Sequence, residues 1–111
     1  MDCVFCKIIK NEIKSEKIYE DEDVICIRDI NPQAPIHILI IPKKHIEKLY
    51  QTDEIELLGK MLKIACLMAE KEKIKESGFR IVINTNRNAG QSVEHIHFHL
   101  LGGRVMLWPP G

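Results

Sequence analysis

Three histidines recur at every second position in Glu94-His95-Ile96-His97-Phe98-His99-Leu100-Leu101. The residues between them are Ile, Phe and Leu, types that favour a pleated strand. Successive strand side chains point to opposite faces. His95, His97 and His99 therefore share one face, and Ile96, Phe98 and Leu100 the other. The segment belongs in a sheet with an apolar layer on one side and a polar row on the other. Imidazole titrates near neutrality, ligates metals and acts as a nucleophile. Three in a row, in a chain with five His in all, point to chemistry rather than packing. A strand rises about 3.3 Å per residue, so His95 and His99 stand roughly 13 Å apart along it. With Zn–N bonds of about 2.0–2.1 Å, one ion reaches adjacent members of the row but not both ends. The row must be divided between tasks.

The chain has 111 residues, enough for one core and one domain spanning 1–111. Sixteen basic residues balance sixteen acidic ones, which leaves no broad electrostatic footprint for nucleic acid or an anionic membrane. The amino-terminal Met1-Asp2-Cys3-Val4-Phe5-Cys6 lacks a basic region followed by a long apolar one, and no apolar run reaches transmembrane length. The expected location is cytoplasmic.

Residues 3–10 read as a short helix, and 17–20 with 24–29 as a hairpin turned by Glu20-Asp21-Glu22-Asp23. Two prolines make 31–35 a loop. Residues 36–41, apolar except for His37, suit a buried central strand that Pro42 ends. Thr52-Asp53-Glu54-Ile55 offers an N-cap with acids in the first turn of a helix running to 73. Ile55, Leu58, Met61, Leu62, Ala65, Met68 and Ala69 recur along it at three- and four-residue steps, the stripe of an amphipathic helix laid on a sheet. Residues 79–84 form another strand, 85–92 a polar loop, and the histidine strand follows. Close-spaced strands around one long and one short helix predict an α+β fold with a five-stranded antiparallel sheet.

In a reducing compartment the four cysteines need not pair. Cys26 and Cys66 sit in apolar stretches and read as buried core residues. Cys3 and Cys6 have the C-x-x-C spacing of metal or redox sites, and no strand precedes them as a thioredoxin-like motif requires. Metal is the better reading, with His45 as third ligand and His95 as fourth. Cys₂His₂ is a closed tetrahedral set typical of structural zinc. That set also resolves the division of the row, leaving His97 and His99 for chemistry.

The loop Asn84-Thr85-Asn86-Arg87-Asn88-Ala89-Gly90-Gln91-Ser92 offers amides, a hydroxyl and a glycine that admits close backbone approach, a phosphate cradle beside the histidines. His37 is either a hydrogen-bonded core group or a donor aimed at the same site. Asp29 is either a turn former or a partner for ribose hydroxyls. Lys43 and Lys44 read as solvated surface charges.

Together these residues resemble the histidine-triad (HIT) family, whose signature H-φ-H-φ-H-φ-φ, with φ apolar, fits His95-Ile96-His97-Phe98-His99-Leu100-Leu101 throughout. Asp29-Ile30-Asn31-Pro32-Gln33-Ala34-Pro35, His37, Ile41-Pro42-Lys43-Lys44-His45, Gly90-Gln91-Ser92-Val93, Gly102-Gly103-Arg104 and Trp108-Pro109-Pro110-Gly111 look like its HINT branch of purine nucleoside phosphoramidases. The resemblance implies a homodimer whose sheets join, and hydrolysis of the phosphorus–nitrogen bond of a purine nucleoside 5′-phosphoramidate through a nucleotidyl-histidine. It implies His97 as nucleophile, with His99, His37 and Ser92 as the other catalytic groups at the phosphate. It places Asn84, Gly90 and Gln91 near the phosphate, Asp29 with Ile30 at the nucleoside, and Trp108 shaping the site, in the neighbouring subunit if the dimer forms. It also implies structural zinc on Cys3, Cys6, His45 and His95, with no metal needed at phosphorus. Glu94 stands where the branch commonly has an aromatic, and Leu107 where a histidine sometimes stands. The alternatives are a hydrolase with an open zinc site, and a nucleotide-binding scaffold with incidental turnover.

Overall fold

The computed structural model describes residues 3–111; Met1 and Asp2, used in reading the amino terminus, lie outside the described residues. In chain order the elements are α1 (Val4–Ile9), β1 (Lys17–Glu20), β2 (Val24–Arg28), β3 (Ile36–Pro42), a 3-10 turn (Leu49–Gln51), α2 (Ile55–Lys71), β4 (Phe79–Ile83), α3 (Asn86–Ala89) and β5 (Phe98–Gly102). The strands form one five-stranded sheet in the order β1-β2-β3-β5-β4, and every neighbouring pair is antiparallel. The predicted α+β architecture is the observed one. Among the described residues no helix is long and apolar enough to cross a membrane.

β3 is central because it is apolar on both faces. Ile38 and Ile40 point toward α2, joining Val24, Cys26, Ile96, Phe98 and Leu100 in the main core. Leu39 and Ile41 point the other way and pack with Ile25, Ile27 and the Phe5 and Ile8 of α1. The expected alternation of the histidine segment holds: Ile96, Phe98 and Leu100 face α2, and the histidines take the α1 side.

Three expectations need correction. α2 starts at Ile55 rather than at Thr52, because the Glu54 N–H donates to Thr52 Oγ1 at 3.1 Å and the Ile55 N–H to Asp53 O at 2.8 Å, closing a turn ahead of the helix. Its buried stripe is Met61, Ile64, Ala65, Met68 and Ala69. Ile55 and Leu62 are exposed, and so is Cys66, which is not the core residue its apolar neighbours implied. Met61, Ala65, Met68 and Ala69 of the expected stripe do meet the sheet, and Ile64 joins them in place of Leu62, because the helix turns 100° per residue and only one arc of it faces inward.

The histidine strand also begins later than its alternation implies. β5 opens at Phe98, opposite Ile40, so His95 and His97 precede the ladder. The cause is the partner: β3 reaches its end at Pro42, which has no N–H to continue the pairing. The Ile96 N–H instead donates to Ile46 O at 2.6 Å. The polar loop contains the short helix α3, closed by Gly90 at φ 82°, a left-handed cap that suits glycine. At the far end of β5, Gly103 has φ 90°, and a Cβ there would lie 2.9 Å from Pro35 Cβ. This close approach seats the 29–35 loop, and hence His37, against β5.

Candidate active site and metal centre

Two polar clusters stand side by side on the α1 face, and His95 and His97 link them. In the first, Cys3 Sγ and Cys6 Sγ flank α1's first turn, His45 follows β3, and His95 precedes β5. Their four ligand atoms all lie within 4.8 Å of one another. His95 Nδ1 is 3.3 Å from Cys3 Sγ, 3.7 Å from Cys6 Sγ and 3.1 Å from His45 Nδ1, while Cys6 Sγ is 3.3 Å from His45 Nδ1. A tetrahedral ion with Zn–N of about 2.0–2.1 Å and Zn–S of about 2.3 Å requires N–N and N–S edges of about 3.3–3.6 Å. The His95 Nε2–H donates to Pro42 O at 2.8 Å, so Nδ1 carries the lone pair that a ligand needs. The Cys6 N–H donates to Cys3 Sγ at 3.4 Å. Burial and the Cys3 neighbour push the Cys6 thiol pKa up, so metal binding displaces protons here. The donor set fits a structural metal: four protein ligands and no open position.

In the second cluster, hydrogen bonds fix the tautomers one after another. The Gln33 N–H donates to His37 Nδ1 at 3.0 Å, leaving the proton of neutral His37 on Nε2. His37 Nε2–H then donates to His99 Nδ1 at 2.9 Å, with Asp29 Oδ2 3.4 Å away. His99 is left with its proton on Nε2. The His97 Nδ1–H donates to His95 O at 2.8 Å, so the His97 Nε2 lone pair is free. Burial is the main cause of depressed pKa values at His37, His95 and His97, and together with His97 and His37 it brings His99 down to about 4. Burial thus favours the neutral form of all four rings.

Asp29, His37 and His99 also gather as a two-histidine, one-carboxylate group, a set that in other proteins leaves metal positions open. Here an ion at His37 Nε2 would force the ring proton onto Nδ1, directly against the Gln33 N–H. The hydrogen-bond order opposes a metal at this second cluster and with it the open-zinc alternative.

His97 and His99 line a cavity of about 380 Å³ together with Asp29, Ile30, Ser92 and an apolar wall that includes Val4, Phe5, Ile8 and Ile27. Phe5 meets His97 edge to face, with ring centroids 5.0 Å apart. A larger depression of about 520 Å³, lined by Lys43, Lys44 and acidic residues, holds no histidine, and one of about 460 Å³ borders the first cluster at Cys3 and His45. Of the predicted site residues, Asp29, Ile30, Ser92, His97 and His99 meet at the cavity, with His37 behind His99. Asn84, Gly90, Gln91 and Trp108 are not among its walls. The Gln91 amide is committed to the loop: Nε2 donates to Glu47 O at 2.7 Å and Val93 O at 3.1 Å, and Oε1 accepts from the Asn86 N–H at 2.9 Å. Trp108 is 81% exposed, on a tail held by Arg80 Nη2 donating to Leu107 O at 3.1 Å. The wall residues Val4, Phe5 and Ile8 escaped the sequence reading; their one-face spacing on α1 was the available signal. Glu94 is not among the walls of this cavity; it pairs with Lys48 and borders a separate depression shared with Cys3, His45 and Ser92.

The HIT domain pattern matches residues 10–106. The chain is 54% identical over 97% of its length, and 87% of the other protein's, to a 14 kDa zinc-binding protein of Zea mays. It is 49% identical to the purine nucleoside phosphoramidase of Escherichia coli strain K12, covering 95% of this chain and 90% of that protein. A solved HIT family hydrolase from Legionella pneumophila Philadelphia 1 superposes with a TM-score of 0.97 at 49% identity, over 99% of this chain and 100% of that one.

A folded pKa depressed below the ordinary 6.5 means that the native state binds fewer protons than the unfolded chain below that pH. The histidines' contribution is therefore fully present above pH 6.5 and is lost as pH falls toward about 4. In chelator-treated protein the urea midpoint should drop between pH 7 and pH 5, and His99→Gln should shallow that drop. An unchanged slope in the variant would contradict the neutral, buried assignment.

Proposed function

The chain belongs to the HIT domain family, and from that premise we propose that it hydrolyses the phosphorus–nitrogen bond of purine nucleoside 5′-phosphoramidates. The observation that carries the reading is the His97 ring: Nδ1–H is tied to His95 O, and the ring lines the cavity with Nε2 unprotonated. Neutral imidazole is a competent nucleophile at pH 7, and its phosphoryl adduct is labile, so one hard displacement becomes two easier ones. The His97 Nε2 lone pair attacks the α-phosphorus and the phosphorus–nitrogen bond of the substrate breaks. The amine leaves with a proton, for which His99 Nε2–H and the Ser92 hydroxyl, which line the same cavity as His97, are the donors. Water then attacks phosphorus, the bond to Nε2 breaks, and nucleoside monophosphate departs. His37 holds the tautomer of His99, whose Nε2–H stabilises charge on the non-bridging oxygens. Asp29 and Ile30 take the nucleoside side, and Gln91, with Asn84 and Gly90 around α3, shapes the loop that ends at Ser92.

Zinc on Cys3, Cys6, His45 and His95 would supply a structural cross-link between α1 and the segment carrying His97; the zinc-binding relative at 54% identity supports the assignment. A homodimer continuing the sheet is supported by β4, an edge strand whose five residues are all half-buried, and by the exposed Ile55, Leu62 and Leu67 of α2. In that dimer Trp108 of one copy is available to the other's site.

Three outcomes test this reading. His97→Ala should lower kcat by on the order of 10⁴-fold, and mass spectrometry of protein quenched with adenosine phosphoramidate should find the nucleotidyl group on His97. An adduct elsewhere refutes the mechanism. Elemental analysis should give one zinc per chain, and chelation should lower Tm by on the order of 10 °C. Chelation that abolishes turnover and leaves Tm unchanged would place the metal in the chemistry instead. Light scattering should give twice the 12.8 kDa of one chain; a monomer at micromolar concentration removes the shared sheet and the tail's role.

A further inference from the structure

Lys14 and Ser15 line the same cavity as Asp29, His97 and His99. They come alongside because pairing of β1 with β2 runs on past the strands. Lys17 stands opposite Ile27, and the Arg28 N–H donates to Glu16 O at 3.2 Å. Continued, that register sets Ser15 opposite Asp29 and Lys14 opposite Ile30, and all four residues line the cavity. Between this edge and α1 lies the apolar part of the cavity, walled by Val4, Phe5, Ile8, Ile13 and Ile27. A flat aromatic ring suits such a slot, and its polar edge must then meet whatever donors stand at the rim.

Most charged groups at this rim are already committed. Arg28 Nε and Nη2 donate to Glu16 and Glu72, both at 3.0 Å. Asp29 Oδ1 accepts from the Asn31 N–H at 2.8 Å, and Oδ2 faces His37. The Lys14 ammonium, by contrast, has no hydrogen bond or ion pair with any described residue, and neither has the Ser15 hydroxyl.

We propose that Lys14, with Ser15 beside it, reads the exocyclic edge of the base and favours a 6-oxopurine over a 6-aminopurine. The inference rests on the nucleotide reading of the cavity. Guanine presents two adjacent acceptors, O6 and N7, whereas adenine sets an N6–H₂ donor beside its N7. A lysine ammonium has three donors and no acceptor, and so complements both guanine atoms and opposes the adenine amino group. Lys14 is exposed, so water competes and the discrimination is modest, about three- to tenfold.

The test is steady-state kinetics on the full chain with guanosine and adenosine 5′-phosphoramidates of the same amine, and calorimetry with GMP and AMP. Wild type should favour guanosine by about three- to tenfold in kcat/KM. Lys14→Met, which keeps the stem and removes the charge, should bring the ratio within about twofold of unity, with the loss in KM, because the base is remote from phosphorus. Lys14→Arg should retain the preference. A guanosine-to-adenosine ratio that Lys14→Met leaves unmoved overturns the inference. So does an equal loss for both nucleotides, which would put the ammonium on the phosphate or ribose. Those results leave the phosphoramidase reading standing. If neither phosphoramidate is turned over and neither nucleotide binds, that reading falls, and the inference with it.

Discussion

The hydrogen bond from His97 Nδ1–H to the His95 carbonyl, at 2.8 Å, joins the two halves of the site. Residues 93–97 lie outside the β3–β5 ladder, so ordinary sheet pairing does not aim His97. Its position depends on His95, which is fixed by its own bond to Pro42 O and by the Cys3, Cys6 and His45 cluster. That cluster also holds the start of α1, whose six residues are too few to be helical alone. α1 in turn supplies Val4, Phe5 and Ile8 to the cavity wall. The Cys3, Cys6, His45 and His95 cluster, the His97 ring and the α1 wall of the cavity are thus one mechanical unit, and loosening any member loosens the rest.

Backbone groups set the polarity of this unit. The Gln33 N–H orients His37, and His37 orients His99. The Pro42 carbonyl orients His95, and the His95 carbonyl orients His97. Burying four imidazolium ions together would be prohibitive. Burying four neutral imidazoles with fixed tautomers is not, because each ring proton has an acceptor or faces the cavity. The outcome is one lone pair and one N–H donor at neighbouring residues, His97 and His99, arranged in advance of any substrate. Preorganised dipoles of this kind stabilise developing charge without reorganising when it appears.

Much of this was legible in the chain. Alternation put Ile96, Phe98 and Leu100 on one face and the histidines on the other, and that order holds although only Phe98, His99 and Leu100 of these residues lie in the ladder. Strand rise alone divided the histidine row, and C-x-x-C identified where its first member goes. What escaped had specific causes. The β5 boundary depends on where β3 stops offering N–H groups, a property of the partner strand. The exposure of Ile55, Leu62 and Cys66 depends on which arc of α2 meets the sheet, and the apolar residues that flank the buried stripe on either side leave that edge undetermined in sequence. The tautomers depend on the Gln33 amide, whose reach to His37 comes from the close seating of Pro35 on Gly103.

The sheet pays unequally for its two faces. Toward α2, Val24, Cys26, Ile38, Ile40, Phe98 and Leu100 are packed by a helix of 17 residues into a continuous dry core. Toward α1, the six-residue helix covers Ile25, Ile27, Leu39 and Ile41 but leaves His97 and His99 facing a cavity. A short helix cannot cover a five-stranded sheet, and the uncovered part is where a ligand can reach the sheet's central strands. Ile30 is 97% exposed beside this opening, an apolar side chain with nothing yet to cover it. A base and ribose seated there would complete the second face as a helix completes the first. The same incompleteness that weakens the α1 side therefore creates the cavity, and the dense α2 core is what lets a domain of 111 residues tolerate it.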